Sequence, residues 1–67
     1  MFVAYLIKHY DPYHELISCF AEDCWNHAVD CYNNLYESNR IFSGDIMELL
    51  ELDYDSSEFI VIRKDIC

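Results

Sequence analysis

The side chains of this 67-residue chain that could do chemistry are four cysteines, three histidines and thirteen acidic residues, set against only four Lys and Arg. Cys24, His27 and Cys31 stand at i, i+3 and i+7, on adjoining parts of one helix face, and Cys19 or Cys67 could complete a zinc set of three Cys and one His. Two residues seven apart lie about 10.5 Å apart along a helix axis. They cannot both reach one ion at about 2.3 Å, and no Cys-x-x-Cys pair occurs. Cys24 with His27, or His27 with Cys31, is geometrically compatible with one ion. Core thiols are the favoured reading, with no metal and no cofactor expected. Cys and His could also form a nucleophile and its base, and Glu51 with Asp53 could do acid–base work. Yet the sequence holds no nucleophile elbow or phosphate loop, and a single glycine in a short chain leaves little room for a deep pocket. A non-enzymatic protein without catalytic residues is expected.

The carboxylates make the stronger pattern. Asp45, Glu48, Glu51, Asp53, Asp55 and Glu58 occur with no base among them, and no Lys or Arg falls between His9 and Asn39. Asp23, Asp30 and Glu37 recur at seven-residue intervals, which is two helical turns each and nearly one line. Helix neighbours three or four apart sit about 5–6 Å apart at Cβ. Alternate strand residues lie about 6.6–6.8 Å apart, comparable to the step between phosphates of one nucleic-acid strand. Rows of carboxylates on a folded surface can therefore imitate a phosphate track and compete for Lys/Arg grooves that hold DNA or RNA. The bland alternative is a solvated acidic surface that keeps a small protein dissolved, although ordinary soluble surfaces intersperse both signs. With a net charge of −9, direct binding to nucleic acid or to an anionic membrane is not expected, because phosphate repels it.

Six tyrosines exceed what so small a core absorbs. Tyr5 and Tyr32 read as core; Tyr10, Tyr13, Tyr36 and Tyr54 fall at strand ends, turns or the helix flank. Tyrosine gives rigid contact area with a polar tip and is enriched at protein interfaces. In that reading carboxylates steer and Tyr10, Tyr36 and Tyr54 anchor at the rim; otherwise they are scattered surface residues.

These side chains must be positioned by a small set of elements. Residues 2–10 are β-branched and aromatic-rich and are bounded by Asp11-Pro12, which predicts a strand. Phe2, Ala4 and Leu6 face one side and Val3, Tyr5 and Ile7 the other; both sides are apolar, so the strand is central. Asp11-Pro12-Tyr13-His14 is a turn with Pro12 fixing φ at its second position, and residues 15–20 form the second arm of a hairpin. Asp23 is the expected helix N-cap, with Glu22 adding negative charge near the positive helix end. Ala21, Trp25, Ala28, Tyr32 and Leu35 recur at spacings of four and three, widened by Cys24 and Cys31. Asp23, His27, Asp30, Asn33, Asn34 and Glu37 lie opposite. Ser38-Asn39 ends the helix, with Asn suited to a left-handed cap. Asp45-Ile46-Met47-Glu48 could be a capping box opening a short helix. The favoured alternative is a hairpin of strands 45–53 and 57–64 joined by Tyr54-Asp55-Ser56-Ser57, since Phe59-Ile60-Val61-Ile62 is strongly β and needs a partner. The result is a single α+β domain over residues 1–67, in β-β-α-β-β order, with one helix packed across an antiparallel sheet. The apolar opening Met1–Ile7 is too short for a membrane helix and lacks a basic leader. A cytoplasmic location with reduced thiols is expected.

A strand, then Ala21-Glu22-Asp23-Cys24-Trp25-Asn26-His27-Ala28, then further strands, resembles a pattern frequent in very small bacteriophage proteins. There an Ala-x-[Ser/Thr/Asp] step caps a helix whose Ala packs on the sheet. Phage-encoded inhibitors of bacterial RNA polymerase and several anti-CRISPR proteins are similar in size and element order. The resemblance implies a non-enzymatic inhibitor acting in the host cytoplasm, often as a nucleic-acid mimic, and no binding residue transfers by motif. Combined with the charge pattern, it gives an expected inhibitor of a basic host protein, such as a CRISPR effector, nuclease, glycosylase or polymerase. Its partner-binding residues are Asp23, Asp30, Glu37, Glu48, Glu51, Asp53, Asp55 and Glu58, with Tyr10, Tyr36 and Tyr54 at the rim. The alternative is a structural or regulatory module acting as a homodimer through an edge strand or a Tyr-rich face.

Overall fold

A computed structural model describes residues 3–67. Its elements are β1 (Tyr5–Tyr10), β2 (Leu16–Glu22), α1 (Trp25–Tyr36), β3 (Ile46–Asp53) and β4 (Glu58–Ile66), so the chain is a small α+β domain in β-β-α-β-β order. The four strands form one antiparallel sheet in the order β2-β1-β3-β4. The strand apolar on both sides, β1, is indeed interior. Phe2, expected on its Ala4 and Leu6 side, lies outside the described residues. Because β1 is antiparallel to both neighbours, β2 and β3 run the same way. Helix α1 carries the chain back between them, over β1. Residues 46–53 are strand and not helix.

The turns rest on local chemistry. The Asp11 carboxylate accepts the backbone N–H groups of Tyr13 and Glu15, each at 2.9 Å. His14 takes φ 67°, a left-handed conformation uncommon for a side-chain-bearing residue, and its ring lies 4.6 Å from that of Tyr10. Between β3 and β4 the Asp53 carboxylate accepts the Asp55 N–H and the Ser56 hydroxyl, both at 3.1 Å. Gly44 sits at φ +91°, where a Cβ would stand 3.2 Å from Pro12 Cγ. Its N–H donates to the Cys67 carbonyl, and the Cys67 N–H to Asp45, each at 2.8 Å. That clasp extends β4 past the expected residue 64.

The helix departs from expectation at both ends. Its N-cap is Cys24, which makes no side-chain cap hydrogen bond. Asp23 instead accepts from His27 Nδ1 at 3.1 Å, which occupies the carboxylate that would have capped. Ser38-Asn39 does not supply a left-handed cap: Glu37 is the C-cap with φ −87°, and the Ser38 hydroxyl donates to the Leu35 carbonyl at 2.7 Å. Ala28, Tyr32 and Leu35 point inward as the periodicity requires, while Trp25 is half exposed. Cys24 is exposed and therefore no core thiol; Cys31 packs partly on the core.

One side of the sheet faces the helix. There Ile7 opposes Leu49, and His9 opposes Met47; Ile7, Leu49 and Met47 join Ala28, Tyr32 and Leu35 in the core. Two polar contacts lie within it. His9 Nε2 and Asp45 Oδ2 are 2.8 Å apart and both residues are buried. Tyr32 donates its hydroxyl to the Asp65 carboxylate, and the Arg63 guanidinium lies 4.6 Å from the Tyr32 ring centre. The other side carries the paired rows Leu6–Leu50–Val61 and Lys8–Glu48–Lys64. Leu50 is buried yet stands outside the helix-side core. Among the described residues, no helix is long and apolar enough to cross a membrane.

Candidate partner-binding surface

The shared direction of β2 and β3 decides where the charges meet. β2 ends at Glu22, β3 ends at Asp53, and α1 begins at Trp25, all beside the start of β1. Tyr5 pairs with Glu22 on one side and with Glu51 on the other, and Glu51 pairs with Ile60. Asp53 and Glu58 face each other across the last hairpin. Glu22, Asp23, Glu51, Asp53, Asp55 and Glu58 therefore share one end of the molecule, and none of the four Lys and Arg stands there. Adjacent strands lie about 4.8 Å apart, which puts the Glu22 and Glu51 backbones about 10 Å apart with Tyr5 between them.

An apolar floor runs beneath these acids. Ala4, Leu52, Ile60 and Ile62 line a cleft of about 580 Å³, rimmed by Glu51, Asp53 and Asp55 with Tyr5 and Tyr54. Trp25 and Tyr5 pack with ring centroids 5.7 Å apart, which ties the start of the helix to this end. Desolvation, and then the hydrogen bond to Glu51, pushes the Tyr5 phenol above its ordinary value. The hydrogen bond from His27 holds the Asp23 carboxyl below its ordinary value. A surface of this kind attracts cations and accepts Lys or Arg hydrogen bonds.

The expected binding residues do not all meet. Asp23, Glu51, Asp53, Asp55, Glu58 and Tyr54 come together at the acidic end. Asp30 and Glu37 are exposed but stand on the outer helix face and at its C-cap, so the helical line contributes no continuous track with Asp23. Glu48 stands apart from them: it pairs with Lys8 and Lys64 on the neighbouring strands, away from the acidic end, and is only 9% exposed. Tyr10 is also displaced, being at the far end of β1 against His14; Tyr36 is exposed near the helix C-terminus. Sequence reasoning missed Glu22, Tyr5 and Trp25, which only the strand order brings in. The cysteine set changes too: the metal-ligating atoms that converge belong to Asp23, Cys24 and His27, mutually within 4.8 Å. Asp23 takes the place envisaged for Cys31.

Compared with protein-family models, with curated proteins and with solved structures, the chain finds no match in any of the three.

Proposed function

We propose that the chain is a non-enzymatic inhibitor of the phage type. Its acidic end would occupy a basic nucleic-acid-binding surface of a host defence or DNA-processing protein, in the host cytoplasm, by occlusion without turnover. The observation that carries this reading is the segregation of charge: six carboxylates and no Lys or Arg at one end, over an apolar cleft. Asp53 and Glu58 strengthen it. Like charges directly opposed on paired strands cost stability, and a fold selected only for solubility has no need to face two carboxylates across one hairpin. Carboxylates accelerate encounter with a basic groove, while Tyr54 and Trp25 supply contact area once docked.

The test is affinity capture from bacterial lysate with the native chain and with a Glu51→Lys, Asp55→Lys, Glu58→Lys triple variant. The expected captured protein binds nucleic acid, is released by moderate salt and by added DNA, and is lost with the triple variant. An Asp30→Lys, Glu37→Lys double variant retains it. Capture indifferent to salt, to DNA and to the triple reversal overturns the reading.

A further inference from the structure

We propose that Asp23, Cys24 and His27 hold a zinc ion at the start of α1. The inference stands apart from the inhibitor reading, since it needs no partner protein. Cys24 is the helix N-cap, and an N-cap side chain reaches the third residue of its helix, which here is His27. The position favours Ser, Thr, Asp or Asn, whose oxygens bond the free N–H groups of the first turn. Cys24 makes no such bond, and its sulfur is only a weak acceptor. Asp23, the better cap by type, turns its carboxylate to the His27 ring, with Oδ1 3.1 Å from Nδ1. The helix thus begins without a side-chain cap. What converges there instead is one sulfur, one ring nitrogen and one carboxylate oxygen, mutually within 4.8 Å.

That donor set fits zinc. Zn2+ takes sulfur at about 2.3 Å and nitrogen or carboxylate oxygen at about 2.0–2.2 Å in a tetrahedron, so its donors stand about 3.3–3.7 Å from one another. Asp23 and His27 are near that spacing at 3.1 Å, and the sulfur has to close by about 1 Å at most. All three residues are exposed, so side-chain rotation closes the set without moving the backbone. Calcium and magnesium take oxygen donors, whereas thiolate with imidazole selects zinc. Three protein donors leave a fourth position for water. On binding, the Cys24 thiol gives its proton to solvent and His27 coordinates through an unprotonated nitrogen. The positive end of α1 opposes a cation. The thiolate and the Asp23 carboxylate outweigh it at the ion itself, with Glu22 adjacent in the chain and Glu51 beyond Tyr5 in the sheet, and none of the four Lys and Arg stands at this end.

Titration of the metal-free full chain with Co2+, in a phosphine reductant, tests the proposal. The expected result is a thiolate-to-cobalt charge-transfer band with tetrahedral d–d bands that saturate at one ion per chain, are bleached by Zn2+ and are indifferent to excess Ca2+ or Mg2+. Cys24→Ser abolishes the charge-transfer band, and His27→Ala and Asp23→Asn each weaken binding by about tenfold or more. Cys19→Ser keeps the band. So, at saturation, does the Glu51→Lys, Asp55→Lys, Glu58→Lys variant that defeats partner capture, which separates this site from the inhibitor reading. A second measurement uses the native chain alone: Cys19 and Cys24 are both exposed, and one equivalent of Zn2+ slows alkylation of Cys24 while Cys19 reacts as before. Absence of the sulfur band, its survival in Cys24→Ser, or alkylation of Cys24 at one rate with and without Zn2+ overturns the proposal.

Discussion

Replacing Tyr32 by Phe removes one oxygen from the centre of the molecule and little else. The ring stays, with its packing against Ile7, Leu49 and Leu35 and the Arg63 guanidinium 4.6 Å from its centre. What goes is the hydroxyl, which donates to the Asp65 carboxylate and lies 3.4 Å from the Met47 carbonyl. A hydrogen bond to a charged acceptor is worth about 1.5–3 kcal/mol. The Asp65 side chain is one-third exposed and keeps its contact with Arg63 Nε at 3.1 Å, so water and arginine compensate part of the loss. The lower end of the range, about 1.5 kcal/mol, is the expected cost. In a domain of this size each kcal/mol moves Tm by about 4–8 °C, so the midpoint should fall by about 6–12 °C. The pH profile separates a hydrogen bond from a packing defect. Burial first, and then the bond to Asp65, pushes the Tyr32 phenol well above its ordinary value. A group raised on folding stabilises fully below its unfolded pKa of about 10, and that contribution is lost as pH rises through the folded value. Native stability therefore declines in strong alkali, and Tyr32→Phe shows a shallower decline. Thermal melts by circular dichroism from pH 7 to 11 measure both. A Tm within about 2 °C of native, with an unchanged alkaline limb, refutes the reasoning.

Further outcomes follow from single contacts. Gly44→Ala forces a Cβ into a left-handed backbone and to 3.2 Å from Pro12; the expected loss is about 1–3 kcal/mol by urea titration. The Asp45 carboxyl is held below its ordinary value by the Phe42 N–H first and His9 second. Its stabilisation is present above the ordinary carboxylate pKa of about 4 and is lost as pH falls through the lower folded value. Asp45→Asn should thus flatten the acid limb of a Tm-against-pH curve. Glu58→Thr relieves the opposed pair with Asp53 and should stabilise the free chain by about 0.2–1 kcal/mol, read by urea titration, while weakening capture of a basic partner. Leu49→Ala opens the centre of the helix-side core and should cost about 2–5 kcal/mol, checked by the same titration.

Much of the fold was legible because each local signal agreed with the global one. Residues apolar on both sides of β1 require cover on both sides, and Phe59–Ile62 require a strand partner that only 46–53 supplies nearby. The helix stripe of Ala28, Tyr32 and Leu35 has one period and one side to bury. The helix start was not legible, since Asp23 is as good a cap as any until His27, one turn on, takes its carboxylate. Glu48 looked like its acidic neighbours because its two lysine partners come from residues 40 positions and 16 positions away, and strand order decides that they flank it. Glu22 and Tyr5 were missed for the same reason. Carboxylates from β2, the approach to α1, and β3 converge only because β2 and β3 point the same way, and no spacing within one element encodes that.

The insertion of β1 between β2 and β3 has a consequence for how the chain is made. The first hairpin can close as soon as residue 22 has left the ribosome, but the inner edge of β1 must then wait for a whole helix to be synthesised before Ile46–Asp53 arrives to cover it. During that interval a row of unpaired amides flanked by Leu6 and Ile7 is open to any passing strand. At about 5–20 residues per second, synthesis of residues 23–45 leaves that edge uncovered for about 1–5 s, the interval in which edge-to-edge pairing competes with folding.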